Sequence, residues 1–372
     1  MRLRAAALAA ALAAACSSAP TGPKPAPLSP LADARKVKQL WSAEVGASER
    51  FSFAPAYVAG SVYAAARDGA VVRLDARSGK ELWRVSLDTR LSGGVGAGER
   101  LVVVGNEDGL VIALDAQTGA ERWRARVSSE VLAPPTVAPD LVLVRSIDNR
   151  VFAFGAGEGK RRWVYQRAPS SLILRTPAGA VIQGDTAYAG FRGGKLAAIA
   201  LSNGGLRWEA TVALPKGATE LERVTDVVGD PAVQGREVCA AAYQGRVACY
   251  EAASGRQLWA RELSSLTGVS LDAGYAFVAD ERGSVHALDR SNGRTLWKQD
   301  RLSYRQLSLP LPVGNLVAVG DFEGHIHFLA RESGEFVARY GTGGGAVRAA
   351  PLALPGALLV QTDDGVLHAL SP

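Results

Sequence analysis

Histidine and cysteine do most side-chain chemistry near neutral pH, and this chain has few of either: four His and three Cys in 372 residues. His286, His327 and His368 each follow a turn glycine (Gly283, Gly324, Gly365) by three residues, and His325 shares a face with His327. A row of that kind suggests a metal site. Equivalent positions on successive repeats, however, stand too far apart to reach one zinc at about 2.0–2.1 Å, which leaves polar filling between repeats. A Ser-His-Asp hydrolase would need a Gly-x-Ser-x-Gly elbow, and the chain contains none. The runs Gly93-Gly94-Val95-Gly96 and Gly341-Thr342-Gly343-Gly344-Gly345 lack the strand-to-helix context of a phosphate cradle and read as loops or junctions. Net charge is +6, but the basic residues are scattered, with no cluster beyond Lys160-Arg161-Arg162. Nucleic acid would require a concentrated stripe. The expectation is therefore no catalytic residue, no cofactor and no metal.

The elements that would carry any site come from a unit recurring about every forty residues, the signature of a repeat array. It reads turn–Gly, apolar strand, Leu-Asp-x-x-Ser/Thr-Gly, then Trp. Clear copies run from Asp68-Gly69 to Trp83, from Asp108-Gly109 to Trp123 and from Arg282-Gly283 to Trp297. Looser copies end at Trp163, Trp208 and Trp259; a seventh carries Phe336-Val337 in the Trp region, and an eighth starts at Asp364-Gly365. Turn pairs such as Asp-Gly supply the positive φ of tight hairpins. Within Asp-x-x-Ser/Thr-Gly the carboxylate accepts backbone N–H groups while Gly takes the left-handed position. A further short strand enters through Pro55, Pro135, Pro231, Pro310 and Pro351. Four strands per unit and eight units predict an all-β fold, an eight-bladed β-propeller of four-stranded antiparallel blades. The last unit lacks its Trp strand, and Lys38-Gln39-Leu40-Trp41-Ser42 supplies one from the other end of the chain. Pairing of the N- and C-terminal strands would close the ring without free edges. All seven Trp residues then serve as plugs between blades, leaving none for a ligand cage.

Residues 1–15 have the form of a signal peptide: Arg2 and Arg4, then an apolar run from Ala5 to Ala15 too short to span a bilayer. The run ends in Leu12-Ala13-Ala14-Ala15-Cys16, which resembles the bacterial lipobox, so Cys16 is the expected lipidation site, with an ordinary cleaved signal peptide as the alternative. Ser17 after that Cys resembles the outer-membrane sorting pattern of bacterial lipoproteins. Residues 16–36, with Pro20, Pro23, Pro25, Pro27 and Pro30, form the expected linker, extended at about 3.1 Å per residue and reaching on the order of 50–60 Å. The propeller occupies 37–372. Cys239 and Cys249 stand five residues on either side of Gln244 and so face each other across a hairpin. They are either a disulfide, which an oxidising compartment permits, or two buried thiols.

The repeat resembles that of pyrroloquinoline-quinone dehydrogenases, which are also eight-bladed. Those enzymes are longer and carry adjacent cysteines and calcium ligands that this chain lacks. The whole chain is more similar to the family of outer membrane protein assembly factor BamB, lipoproteins of the β-barrel assembly machinery. Carrying that resemblance are Ser170-Ser171-Leu172-Ile173-Leu174-Arg175, similar to the family's Ser-Leu-x-Leu-Arg loop, and Glu220-Leu221-Glu222-Arg223-Val224-Thr225-Asp226-Val227. Glu130-Val131-Leu132-Ala133-Pro134-Pro135 and Val319-Gly320-Asp321-Phe322-Glu323-Gly324 match as well.

The resemblance implies a non-enzymatic scaffold that binds the periplasmic POTRA region of BamA, alongside other machinery subunits and nascent outer membrane proteins. It would sit on the periplasmic face of the outer membrane, lipid-anchored. The implied partner-binding residues are Leu172, Leu174, Arg175 and Asp226. Val228 stands where the family has a second Asp. Leu172 and Leu174 suit an exposed apolar patch or, alternatively, a blade core. Arg175 suits an interface or a pair with Asp226 that orders the rim. The competing function is a small quinone-dependent or ligand-binding propeller.

Overall fold

The computed structural model describes residues 22–32, 34–168 and 174–372. The signal segment, Cys16 and Leu172 lie outside the described residues. Among those described there is no helix long and apolar enough to cross a membrane. Eight four-stranded antiparallel sheets form the ring. Blades one to seven span 56–86, 93–126, 136–166, 180–211, 227–262, 270–299 and 311–341; blade eight combines 352–371 with the strand Lys38–Glu44. That strand pairs with Val366–Ser371, Trp41 opposite Ala369, so the ring closes through the two terminal strands as expected.

Blade one shows how sequence becomes structure. Ser61–Ala65 and Ala70–Asp75 are the central strands and are buried almost throughout; Glu81–Ser86 is outermost and alternates exposed with partly buried residues. In the turn between the last two strands, Asp75 Oδ1 accepts from the Ser78 N–H at 2.9 Å and the Ser78 hydroxyl at 2.6 Å. Gly79 follows at φ +71°. A Cβ there would lie 2.6 Å from the Trp41 ring of blade eight. The glycine is thus required twice, by its backbone and by its neighbour's indole. The same fit recurs between Gly159 and Trp123, Gly255 and Trp208, and Gly334 and Trp297, with hypothetical Cβ contacts of 2.5–2.6 Å. All seven indoles donate to a carbonyl of the next blade, at 2.7–3.1 Å. The hydrophobic core is correspondingly divided into clusters that lie between blades; one joins Trp41 and Leu367 to Val62 and Val72.

Blade seven has Ala338 at the Trp register position, opposite Phe328 as Trp297 is opposite Ala287. A Trp there would need the outer-turn glycine of blade eight. That turn does not exist, because blade eight takes its outer strand from the other end of the chain.

Three expectations need correction. Closure does not remove free edges: the eight sheets stay separate, so each blade keeps its outermost strand as an edge, and charged residues such as Glu81, Arg84, Glu121 and Arg124 line several of them. The Pro-rich segment is not a free linker throughout, since Ala26, Ser29, Arg35 and Val37 lie along blade seven. Pro231 also sits at a bulge inside Val227–Gln234 rather than ahead of the strand; the other four prolines directly precede their inner strands.

Cys239 pairs with Cys249 in register; both are fully buried and their sulfurs are bonded, the Cα atoms 4.0 Å apart. The histidine row resolves into pairs within blades. His286 Nε2 lies 2.8 Å from Asp280 Oδ2, His327 Nε2 lies 2.9 Å from Asp321 Oδ2, and His368 Nδ1 lies 3.1 Å from Gln39 Oε1. Among the described residues no three such groups converge as metal ligands.

Candidate partner-binding rim

Connections from one blade to the next all run along one face, beside the turns of the central hairpins. Leu87 N–H donates to Gly69 O and Val127 N–H to Gly109 O, both at 2.9 Å. Leu174 and Arg175 lie in the connection from blade three to blade four, and Asp226 ends the one from four to five. The structure brings these three to one rim.

Asp226 is only 6 % exposed. Its Oδ2 accepts from the Leu174 N–H at 3.2 Å and its Oδ1 from the Gly193 N–H at 3.3 Å. Its carbonyl accepts from the Tyr243 N–H at 2.9 Å. The carboxylate thus ties the Leu174 loop to the hairpin turn of blade four, and the same residue's backbone carbonyl holds the turn of blade five. It is a positioning residue rather than an exposed contact. The loop is pinned further along as well: Arg145 Nη1 donates to Ala178 O at 2.6 Å, and Gly179 N–H to Asp230 Oδ1 at 2.6 Å. Burial, with the nearby Arg192 charge, pushes the Arg145 guanidinium down to about 10, so it remains protonated at neutral pH. Leu174 is half-buried over a small cavity lined by Leu132, Arg145, Ile147, Arg192 and Asp226.

Arg175 is half-exposed and does not pair with Asp226. Its Nη1 donates to Glu130 Oε1 at 3.0 Å and its Nη2 lies 2.7 Å from Glu130 Oε2, with Glu107 Oε1 at 3.5 Å. Glu107 in turn takes Arg50 at 2.7 Å and Arg67 at 2.5 Å. Burial raises the Glu107 carboxyl, but these two arginines more than offset it and hold it below the usual range. The result is a chain of alternating charge running from blade one to the Leu174 loop. It holds the half-exposed Arg175 guanidinium beside a leucine, joining an apolar group to a network of charge on the rim.

Val228 is 1 % exposed and paired with Ala241, so it belongs to the blade core. The segment before Asp226 adds residues that spacing alone did not single out. Leu214 and Leu221 are 60 % and 72 % exposed. The turn carrying Leu221 is ordered by a reciprocal pair. Glu222 Oε2 accepts from the Thr219 N–H at 3.0 Å, and Thr219 Oγ1 accepts from the Glu222 N–H at 3.2 Å. Thr-x-x-Glu is a capping-box pattern, and that was the available signal that Leu221 is held outward on a formed turn.

A family model described as outer membrane protein assembly factor BamB matches residues 67–299. The BamB of Bordetella pertussis is 43 % identical over 92 % of this chain and 89 % of its own length. That of Pseudomonas aeruginosa is 45 % identical over 98 % and 96 %. The chain belongs to the BamB family. Among solved structures, BamB from Moraxella catarrhalis superposes with a TM-score of 0.83 at 28 % identity, covering 91 % of this chain and all of that one. A quinohemoprotein alcohol dehydrogenase from Comamonas testosteroni shares the propeller alone: TM-score 0.70, 15 % identity, 90 % of this chain and 76 % of that one.

Proposed function

We propose that this chain is a non-catalytic scaffold lipoprotein of the outer-membrane β-barrel assembly machinery. Acyl chains on Cys16 hold it to the periplasmic face of the outer membrane. It binds the POTRA region of BamA and assists folding and insertion of outer membrane proteins. Leu174 and Arg175 make the contact, Leu221 extends it, Leu172 belongs to the same loop, and Asp226 positions that loop. The observation carrying this reading is the use of one buried carboxylate to fasten a loop whose partly exposed groups are an apolar side chain and an arginine. A fold gains little from that arrangement, whereas a binding surface needs it, because a loop ordered in advance loses less entropy on docking. Quinone-dependent chemistry finds no support in the residues: Cys239 and Cys249, the cysteines among the described residues, are cross-strand partners and wholly buried.

The test is the affinity of purified variants for the isolated periplasmic domains of BamA. Hot-spot side chains cost about 2 kcal/mol or more each on truncation, roughly thirtyfold in affinity. Leu174→Ala with Arg175→Ala should nearly abolish binding at an unchanged melting temperature. Wild-type affinity in that double variant would refute the assignment.

A further inference from the structure

The Pro-rich segment ahead of the propeller makes specific contacts with blade seven and with the connection that leads into it from blade six. Ala26 N–H donates to Ser303 O at 2.8 Å, and Arg305 Nη1 returns a bond to Ala26 O at 3.0 Å. Leu28 packs against the core cluster that contains Leu302 and Trp297. Arg339 Nη1 donates to Ser29 O at 3.0 Å, and Arg35 N–H donates to Val337 O at 2.8 Å. The segment therefore runs the length of the outermost strand of blade seven, from the connection face at Ala26 to the opposite end at Arg35.

Blade seven is the blade adapted to receive it. Its outer strand begins with Phe336, where the register places Glu81, Glu121, Arg161, Leu206, Gln257 and Thr295 in blades one to six. Arg301 and Arg339 lie over the Phe336 ring at 5.1 and 5.7 Å. Together they line a groove with Ala26, Pro27, Leu28 and Ser29. Guanidiniums that bond backbone carbonyls suit a proline-rich partner, whose carbonyls are free because an extended chain makes no internal hydrogen bonds. Arg305 is held ready for that contact by ion pairs to Asp321, at 2.7 Å, and Glu323.

We propose that residues 26–32 and 34–37 are a docked strap and that blade seven is its binding site. The tether is then only the stretch from Cys16 to Ala26, ten residues, with a reach of about 30 Å at about 3.1 Å per residue. It leaves from the connection face, which also carries Leu174 and Arg175. The strap thus turns the partner-binding rim toward the bilayer and holds it close, on the side of the ring opposite the anchor point. This consequence rests on the lipid anchor proposed above; the docking itself does not.

Two measurements on the mature lipidated chain, in detergent and then in nanodiscs, test it. The amides of Ala26 and Arg35 should exchange with solvent at least about tenfold more slowly than those of Ser17 to Lys24. Leu28→Asp should abolish that protection without lowering the melting temperature. Free-chain exchange at Ala26 and Arg35 in the wild type, or protection indifferent to Leu28→Asp, would overturn the docking. For orientation, probes at Arg282→Cys and Asn292→Cys sit at opposite ends of blade six. Lipid-borne quenchers should quench the Arg282 position more strongly, and Leu28→Asp should erase the difference. Equal quenching in the wild type would overturn the orientation. A chain that fails to enter nanodiscs at all would refute the lipid anchor, leaving the exchange result to stand by itself.

Discussion

Trp41 and Gly79 form the junction at which the ring closes, and their coupling can be worked out from the structure. Trp41→Ala removes an indole that is 8 % exposed, together with its 3.1 Å bond to Ala76 O. Truncation of a buried Trp costs about 3–5 kcal/mol. Gly79→Ala incurs two separate penalties. At φ +71° a Cβ costs about 1–2 kcal/mol for left-handed backbone. The same Cβ would meet the Trp41 ring at 2.6 Å, and forcing that ring aside adds about 1–3 kcal/mol of overpacking. In the double variant the second penalty vanishes, because the ring is absent, while the backbone penalty remains. The two single losses should therefore sum to more than the double loss, by about 1–3 kcal/mol. Urea unfolding of the four proteins in parallel measures the difference. Additivity within about 0.5 kcal/mol would mean that Gly79 is there for its backbone alone and that the indole does not seat on it, which refutes the Trp-on-glycine account of closure.

Three further outcomes are expected. Burial holds His327 and His368 below their ordinary 6.5. The unfolded chain then takes up protons first as pH falls, so their contribution is complete above pH 6.5 and declines below it. Asp321 is held well below 3.8 despite burial, by His327, the His325 N–H and Arg305, so its contribution is lost only as pH falls further, below 3.8. Melting temperatures from pH 8 to 5 should fall less steeply for His327→Gln than for wild type, and identical slopes would dismiss the buried-histidine explanation. Thiol labelling of unfolded, unreduced mature protein should find neither Cys239 nor Cys249 free; labelling of both would leave them as core thiols. Cys16→Ala should move the protein from the membrane pellet to the soluble periplasmic fraction, and retention after a salt wash would show that lipidation is not the anchor.

The blades were legible because their determinants are local. A turn glycine, a carboxylate three residues from the Ser or Thr whose N–H it accepts, and a Trp at fixed spacing act within one hairpin or between neighbouring repeats. The same locality set Cys239 opposite Cys249, since a hairpin's register follows from its turn. Even the closing strand could be found by asking which unit lacked its whole Trp strand. The rim could not be read this way. Arg175 meets Glu130 and Glu107, and Asp226 meets Leu174, only because connections from separate blades are gathered on one face. Spacing along the chain left an Arg175–Asp226 pair equally open, and the structure separates them. Arg305, His327 and Ala338 likewise acquire their meaning from what is beside them: a strap from the far end of the chain, a buried carboxylate and a missing turn. Where an interaction closes a short loop, sequence pattern determines it. Where the interaction requires the ring to be shut first, the tertiary structure decides, because only then do groups tens to hundreds of residues apart share a surface.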